Sequence, residues 1–266
     1  MNNLHRELAP ISAAAWQEID DEARRTFTER IAGRRVVDVP DPAGLEYSAA
    51  GTGHIRPVEA PIEGVSAHQR IVLPTLELRV PFFVERSAVD DVDRGAQDSD
   101  WQPVKDAATL IATAEDHAIF HGSQSAGIEG IAPASSNAAV PLPAKVEDFP
   151  AAVAQAMNTL RLAGVEGDYF LVLNADLYTD VAETTDHGYP IRDHIARILG
   201  DGKIIWAPGV EDALLVTDRG GDFTLQLGQD LSIGYLSHDA QQIQLYLQES
   251  FTFLVHTSEA SVVLHR

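Results

Sequence analysis

The sequence predicts an α+β protein with one weakly packed arm, and three observations carry that expectation. Apolar residues recur at spacings of three and four near the start and again across residues 100–121, the pattern of helices with one buried face. Towards the end they alternate as strands do. Between these regimes, residues 40–64 are rich in proline and glycine and mix apolar with polar side chains.

Ser12 is placed to cap a first helix in which Trp16, Ile19, Ala23, Phe27 and Ile31 share a face, with Gly33 as its stop. Asp20–Arg24 and Asp21–Arg25 lie four apart with the acid first, worth about 0.2–0.5 kcal/mol per pair on a wet face. After the short apolar run Val36-Val37-Asp38-Val39, residues 40–64 read as an extended hairpin. An arm with so little core is mobile unless another chain stabilises it. Residues 71–82 are strand-like, and Pro74 and Pro81 confine that strand to a sheet edge or a bulge. Asp100, with Pro103 in the first turn, opens the longest helix, whose small apolar face suits close packing before Gly122 ends it.

Residues 132–145, almost without charge, read as a loop or linker and mark a subdomain boundary. A helix with Phe149, Val153, Met157 and Leu160, a strand at 169–173, helical segments to Leu199 and a strand at 203–206 then alternate. Strands around 214–217 and 223–227 flank Arg219-Gly220-Gly221-Asp222, a composition that suits a hairpin turn. From 243 to 255 every odd position is apolar except Glu249, which makes a long half-buried strand carrying one carboxylate on its apolar face.

The 266 residues include 40 Asp plus Glu against 19 Lys plus Arg, a net charge of −21. Hydrophobic residues at 45% still supply a core, so the acidity reflects scarce bases rather than disorder. Such a charge repels phosphate backbones, and the nearest thing to a basic run, Gly33-Arg34-Arg35, is diluted at once by Val36-Val37-Asp38. Nucleic-acid binding is therefore not expected. The absence of cysteine excludes disulfides, thiolate metal sites and cysteine nucleophiles, and fits a cytoplasmic location. His5, Arg6 and Glu7 stand where a signal peptide needs its apolar segment, and no stretch approaches ~18 unbroken apolar residues, so neither secretion nor membrane insertion is expected.

Chemical constellations are sparse. His117 and His121 lie four apart behind Glu115 and Asp116, but a helix end favours histidines for its dipole alone, and no metal site is expected. Gly122-Ser123-Gln124-Ser125-Ala126-Gly127 misses the serine-nucleophile pattern by one residue, and no phosphate-cradling glycine loop is present. Glu249, with apolar neighbours on both sides, is either an acid with a raised pKa or, more commonly for such a carboxylate, the partner of an arginine or the site of a bulge. Asp186-His187-Gly188-Tyr189-Pro190 gathers an acid, an imidazole and an aromatic in one loop between helices, a composition suited to a pore rim or contact loop. These residues favour assembly over catalysis.

Longer stretches add a resemblance. Asn2-Asn3-Leu4, Leu8-Ala9-Pro10-Ile11, Trp16-Gln17-Glu18-Ile19, Ala32-Gly33-Arg34-Arg35-Val36-Val37-Asp38-Val39 and Asp98-Ser99-Asp100-Trp101 are similar to segments of the encapsulin (linocin-type) shell-protein family, in its actinobacterial branch. So are Asp186-His187-Gly188-Tyr189-Pro190-Ile191-Arg192, Ile204-Ile205-Trp206-Ala207-Pro208, Arg219-Gly220-Gly221-Asp222-Phe223 and Leu227-Gly228-Gln229-Asp230-Leu231-Ser232-Ile233-Gly234-Tyr235. The resemblance implies an α+β, Hong Kong 97-type bacteriophage major capsid fold. Residues 1–39 and 71–132 would form a peripheral domain with a spine helix, 40–70 an extended loop that pairs with a neighbour, 133–222 an axial domain, and 223–266 a return to the peripheral domain. About sixty copies would close into a hollow T=1 icosahedral shell in the cytoplasm.

The same resemblance implies that cargo enzymes dock a short C-terminal targeting peptide on the inner wall. Phe27, Ile31, Arg34, Asp38, Leu231, Ile233 and Tyr235 would form that groove, with Arg34 and Asp38 fixing the peptide's orientation. The cargo would be a dye-decolourising peroxidase or a ferritin-like protein. Asp186, His187, Gly188 and Tyr189 would ring a fivefold opening, where repeated Asp favours cations and His187 makes passage pH-sensitive. Some relatives stack a flavin on an aromatic after the extended-loop strands; Ser87-Ala88-Val89 offers no ring, so no cofactor is expected. A secreted antibacterial protein or an enzyme in its own right is opposed by the missing signal peptide and catalytic motif, and a viral capsid protein by the missing basic residues.

Overall fold

In the computed structural model, which describes residues 3–266, the Ser12 side chain accepts the amide of Ala15 and starts α1 (Ala13–Arg30). Asn2 of the first matched stretch lies outside the described residues. Helix α1 ends at Ile31, whose backbone is extended, and not at Gly33. Gly33 instead serves close packing. A Cβ there would run into Cδ1 of Ile119, so a larger residue would force that buried side chain of the neighbouring helix to shift. The expected i,i+4 pairs also do not form. Arg6 folds back on the ring of Trp16 and takes Asp20 at 3.0 and 2.6 Å, while Arg24 and Arg25 turn to Asp21 and Glu22 at i,i+3.

Strands β1 (Ala49–Val58) and β2 (Ala67–Pro74) form an antiparallel arm with an irregular register between Gly51 and Ile55. Ile55, Val58, Ile62, Val65 and Val72 are all exposed on it, which is the physical meaning of an arm without a core. The strand-like run 71–82 divides at Thr75: its start belongs to the arm and the rest begins β3 (Leu76–Glu85). Pro81 lies opposite Tyr246 and is tolerated because β3 has a partner on one side only.

Helix α2 (Arg86–Asp93) carries Ser87, Ala88 and Val89, the last two buried in the core. The long helix α3 (Gln102–Phe120) starts where Asp100 accepts the amide of Gln102 and ends before Gly122, which takes the left-handed conformation at φ +82°. Residues 132–145 are not a plain linker. They contain the end of α4 (Ile131–Ala134) and the short strand β4 (Val140–Pro141), whose backbone pairs in parallel with the last strand of the chain.

The chain continues through α5 (Phe149–Leu162), β5 (Tyr169–Leu173), α6 (Ala175–Glu183), β6 (Thr185–Asp186), β7 (Tyr189–Pro190), α7 (Ile191–Leu199) and β8 (Ile204–Trp206). It closes with β9 (Ala213–Thr217), β10 (Phe223–Leu227), β11 (Ser232–His238), β12 (Gln242–Val255) and β13 (Ser261–His265). One mixed sheet has the order β4-β13-β9-β5-β8; the other joins β10 and β11 to β12, with β3 also paired to β12. Strands β9 and β10 therefore do not form the expected hairpin. The Gly220-Gly221 turn carries the chain from one sheet to the other, and Gly221 donates its amide to Asp38 at 2.6 Å. Strand β13 returns to the five-stranded sheet, so residues 261–265 do not stay with the strands formed by 223–255.

Strand β12 is buried on both faces through its middle rather than on one, because Asn3 and Gln229 cover the side that carries Tyr246, Gln248 and Ser250. Its odd-numbered face divides between two cores. Ile243, Leu245 and Leu247 pack with α1 and the first half of α3, whereas Phe251 and Phe253 pack with Ile119, Phe120 and the five-stranded sheet. Glu249 stands at the seam. On α3 the same seam falls at Glu115 and Asp116, between Ala112 of the first core and Ala118 of the second. A third core lies between α5, α7 and the other face of the five-stranded sheet.

Candidate functional site

The seam opens into a groove of about 540 Å³ along α1, bounded by Leu4, Phe27, Thr28, Ile31, Leu231 and Ile233. Its walls follow from local structure. The buried stripe of α1 leaves Phe27 and Ile31 at the helix end, and the sheet places Ile233 across from them in the same core. A cavity of this size, apolar with charged groups along its length, suits a short segment of another chain.

Arg34 forms the polar end. Its guanidinium reaches Glu115 at 2.8 and 2.6 Å, Asp230 at 2.8 Å and Glu249 at 3.2 Å, and it lies over the ring of Phe27. Glu115 and Glu249 are completely buried. Burial alone would lower the pKa of Arg34, but the bonds and charges of Glu115 and Asp230 outweigh it and hold the guanidinium charged beyond its usual range. Burial, reinforced by the charge and hydrogen bond of Glu115, pushes the Glu249 carboxyl well above the ordinary range despite Arg34. Arg35 turns away to cap α1, donating to the carbonyls of Thr28 and Glu29.

Next to this cluster, Asp116 accepts the amides of Ala32 and Gly33 and so holds the turn that carries Arg34. Burial pushes its carboxyl up to about 7, opposed by those amides. A carboxyl that binds its proton more tightly folded than unfolded withdraws stability as that proton leaves. Wild-type stability is therefore expected to fall as pH rises from about 4 to about 7. Asp116→Asn should flatten that part of the profile, as thermal unfolding across this range would show; an unchanged slope would refute the assignment.

Of the residues expected in the groove, Phe27, Ile31, Arg34, Leu231 and Ile233 come together in it. Asp38 and Tyr235 do not. Asp38 is bridged to Thr224 and spends its carboxylate on Gly221, facing the crossover between the sheets. Tyr235 donates its amide to the Leu4 carbonyl and bonds His238 through its hydroxyl at 2.6 Å. The pairing of Arg34 with Asp38 to orient a peptide is thus corrected: the acids in the groove are Asp20 and Asp230, and Arg34 is already bound by three carboxylates. Glu115 was legible in principle, since it sits four residues from both Ile111 and Ile119 on the buried face, the same signal that marked Glu249.

The second expected site is the tip between α6 and α7. Asp186 and Tyr189 pair in a two-residue hairpin in which His187 and Gly188 have φ +47° and +84°, the signature of a type I′ turn. The His187 side chain is 98% exposed and lies 3.7 Å from Asp186, while the Tyr189 hydroxyl accepts from Arg197 at 2.6 Å. The rings of His117 and His121 lie 5.2 Å apart and tilted at 48°, and His121 accepts the amide of Glu211. Among the described residues no group of three or more potential ligands could hold a metal, and no helix is long and apolar enough to cross a membrane.

The fold, with two cores welded along a buried seam, a mixed sheet and a projecting arm, is of the capsid-like class. The fold is similar to the virus-like particle from Pyrococcus furiosus, with a TM-score of 0.65 at 16% identity covering 94% of this chain and 99% of that one. It is also similar to the capsid of Myoviridae phage XM1, with a TM-score of 0.58 at 11% identity covering 90% and 91%. The chain belongs to the encapsulin family: residues 1–252 match the family model Linocin_M18, described as an encapsulating protein for peroxidase. Type 1 encapsulin shell proteins of Brevibacterium linens and Mycobacterium tuberculosis are 62% and 56% identical to it, each over 99% of both chains. It is a structural shell protein and not an enzyme, and it has the α+β Hong Kong 97-type fold.

Proposed function

We propose that about sixty copies of this chain close into a hollow icosahedral compartment in the cytoplasm, and that the groove beside α1 holds the C-terminal targeting peptide of an enzyme carried inside. The observation that carries this reading is the groove itself: an open apolar channel with Arg34 and Asp230 at one end and Arg6 paired to Asp20 on its rim. The description of the family model favours a peroxidase as the cargo over a ferritin-like protein.

Phe27, Ile31 and Ile233 are also core residues, so truncating them would confound docking with folding. Thr28 lines the groove but is exposed. Thr28→Trp should fill the channel and reduce peroxidase loading about tenfold or more in co-expression, with particle mass unchanged. Full loading of that variant would exclude this groove.

The Asp186–Tyr189 tip is proposed as the rim of the fivefold opening. Its support is a hairpin that projects an exposed imidazole and carboxylate with no packing role. His187→Ala is expected to change the entry rate of a small charged solute while light scattering records the same particle. A shell that fails to form would count against a purely rim role.

A further inference from the structure

Arg34 stands among more carboxylates than one guanidinium neutralises. Both oxygens of Glu115 are taken by Arg34, and Glu249 shares one of the same nitrogens through Oε2. Among the described residues Oε1 of Glu249 is buried without a partner, and its carboxyl meets that of Glu115 at the same Arg34 nitrogen. A neutral carboxyl facing a carboxylate satisfies both, whereas two ionised ones would leave a buried repulsion beside an orphaned oxygen. The third acid, Asp230, is 48% exposed and can be solvated instead.

We propose that Glu249 holds a proton beneath the groove, facing Glu115, and that this proton sets how firmly Arg34 holds Asp230 and the groove wall that follows it. With the proton in place, Arg34 divides its donors between Glu115 and Asp230. When it leaves, two buried carboxylates compete for the guanidinium, and Asp230, screened by water, gives it up. The wall at Leu231–Ile233 begins at that residue, so it loosens as pH rises. Glu115 and Glu249 are thus positioning residues that act through Arg34. Other charged groups nearby are engaged elsewhere: Asp116 with the amides of Ala32 and Gly33, Arg35 with the end of α1, and Arg79 with Gln248 on the opposite face of β12. The consequence for docking rests on the groove reading; the proton itself does not.

The test uses the assembled full-length shell without any occupant, so a groove that binds no peptide leaves its result standing. Wild type and Glu249→Gln are compared between about pH 6 and 9 by hydrogen exchange at 231–233, thermal unfolding and infrared difference spectroscopy. Wild-type exchange at the wall should rise beyond the intrinsic pH effect and its melting temperature should fall by roughly 2–4 °C. Glu249→Gln should show no rise in exchange at 231–233, should keep only the fall in melting temperature below about pH 7 that Asp116 supplies, and should lose one protonated-carboxyl band while that of Asp116 remains. Identical pH profiles, or no lost band, would overturn the proposal. If Glu249→Gln does not assemble, Asp230→Asn decides: the pH dependence at 231–233 should vanish while the band remains, and persistence of that dependence would overturn it equally.

Discussion

Replacing Arg34 with methionine is expected to cost the subunit about 3–5 kcal/mol, because it leaves Glu115 and Glu249 buried without their cation. The loss should be visible as a lower denaturation midpoint at neutral pH. It should shrink under acid conditions, where a carboxyl left without its cation can be neutral. Methionine keeps an apolar stem but removes the guanidinium that lies over Phe27, so the change reports the whole cationic head. A midpoint within experimental scatter of wild type would mean that the seam between the two cores is held by packing alone, and that Arg34 is a groove residue without a structural role.

Removal of the arm should have the larger functional effect. Gly51 and Val72 already face each other across β1 and β2, so residues 52–71 can be deleted with a short turn between them and little disturbance below. Nothing in the three cores comes from that segment. The subunit is therefore expected to keep its helical signal and its melting cooperativity, while light scattering shows particle mass falling about tenfold or more from that of a closed shell. The exposed Ile55, Val58, Ile62 and Val65 supply the reason for this expectation: if the arm pairs with a neighbouring copy, these side chains are what it buries. Closed particles of proportionately reduced mass would show that the arm is dispensable.

The expectations that held have local causes. Ser12, the i,i+3,i+4 stripe of α1, Pro103 in the first turn of α3 and the alternation along β12 each act over one or two turns of helix or one strand, and α1, α3 and β12 lie where those patterns fall. The expectations that failed concern partners. Gly33 reads as a helix stop but serves close approach to Ile119; Gly220-Gly221 reads as a hairpin but joins two sheets; Asp20 reads as a partner of Arg24 but is taken by Arg6. In each case the residue type was suitable for the nearby role, and a distant contact with better geometry prevailed.

The groove shows the same division. Phe27 and Ile31 continue the recognisable apolar stripe of α1, and Leu231 and Ile233, just before and within β11, were grouped with them by the family resemblance alone. Asp38 was drawn in by the resemblance and is turned away by one β-bridge. By itself the sequence determined an acidic, cysteine-free α+β chain, its main helices and strands, and the presence of one anomalous carboxylate at Glu249. Only the tertiary structure decided that Arg34 would meet Glu115, Asp230 and Glu249 across 81, 196 and 215 residues of chain. Periodicity reports which face of an element is buried; it carries no information on which other face is laid against it, and the charges at this seam are defined by that meeting.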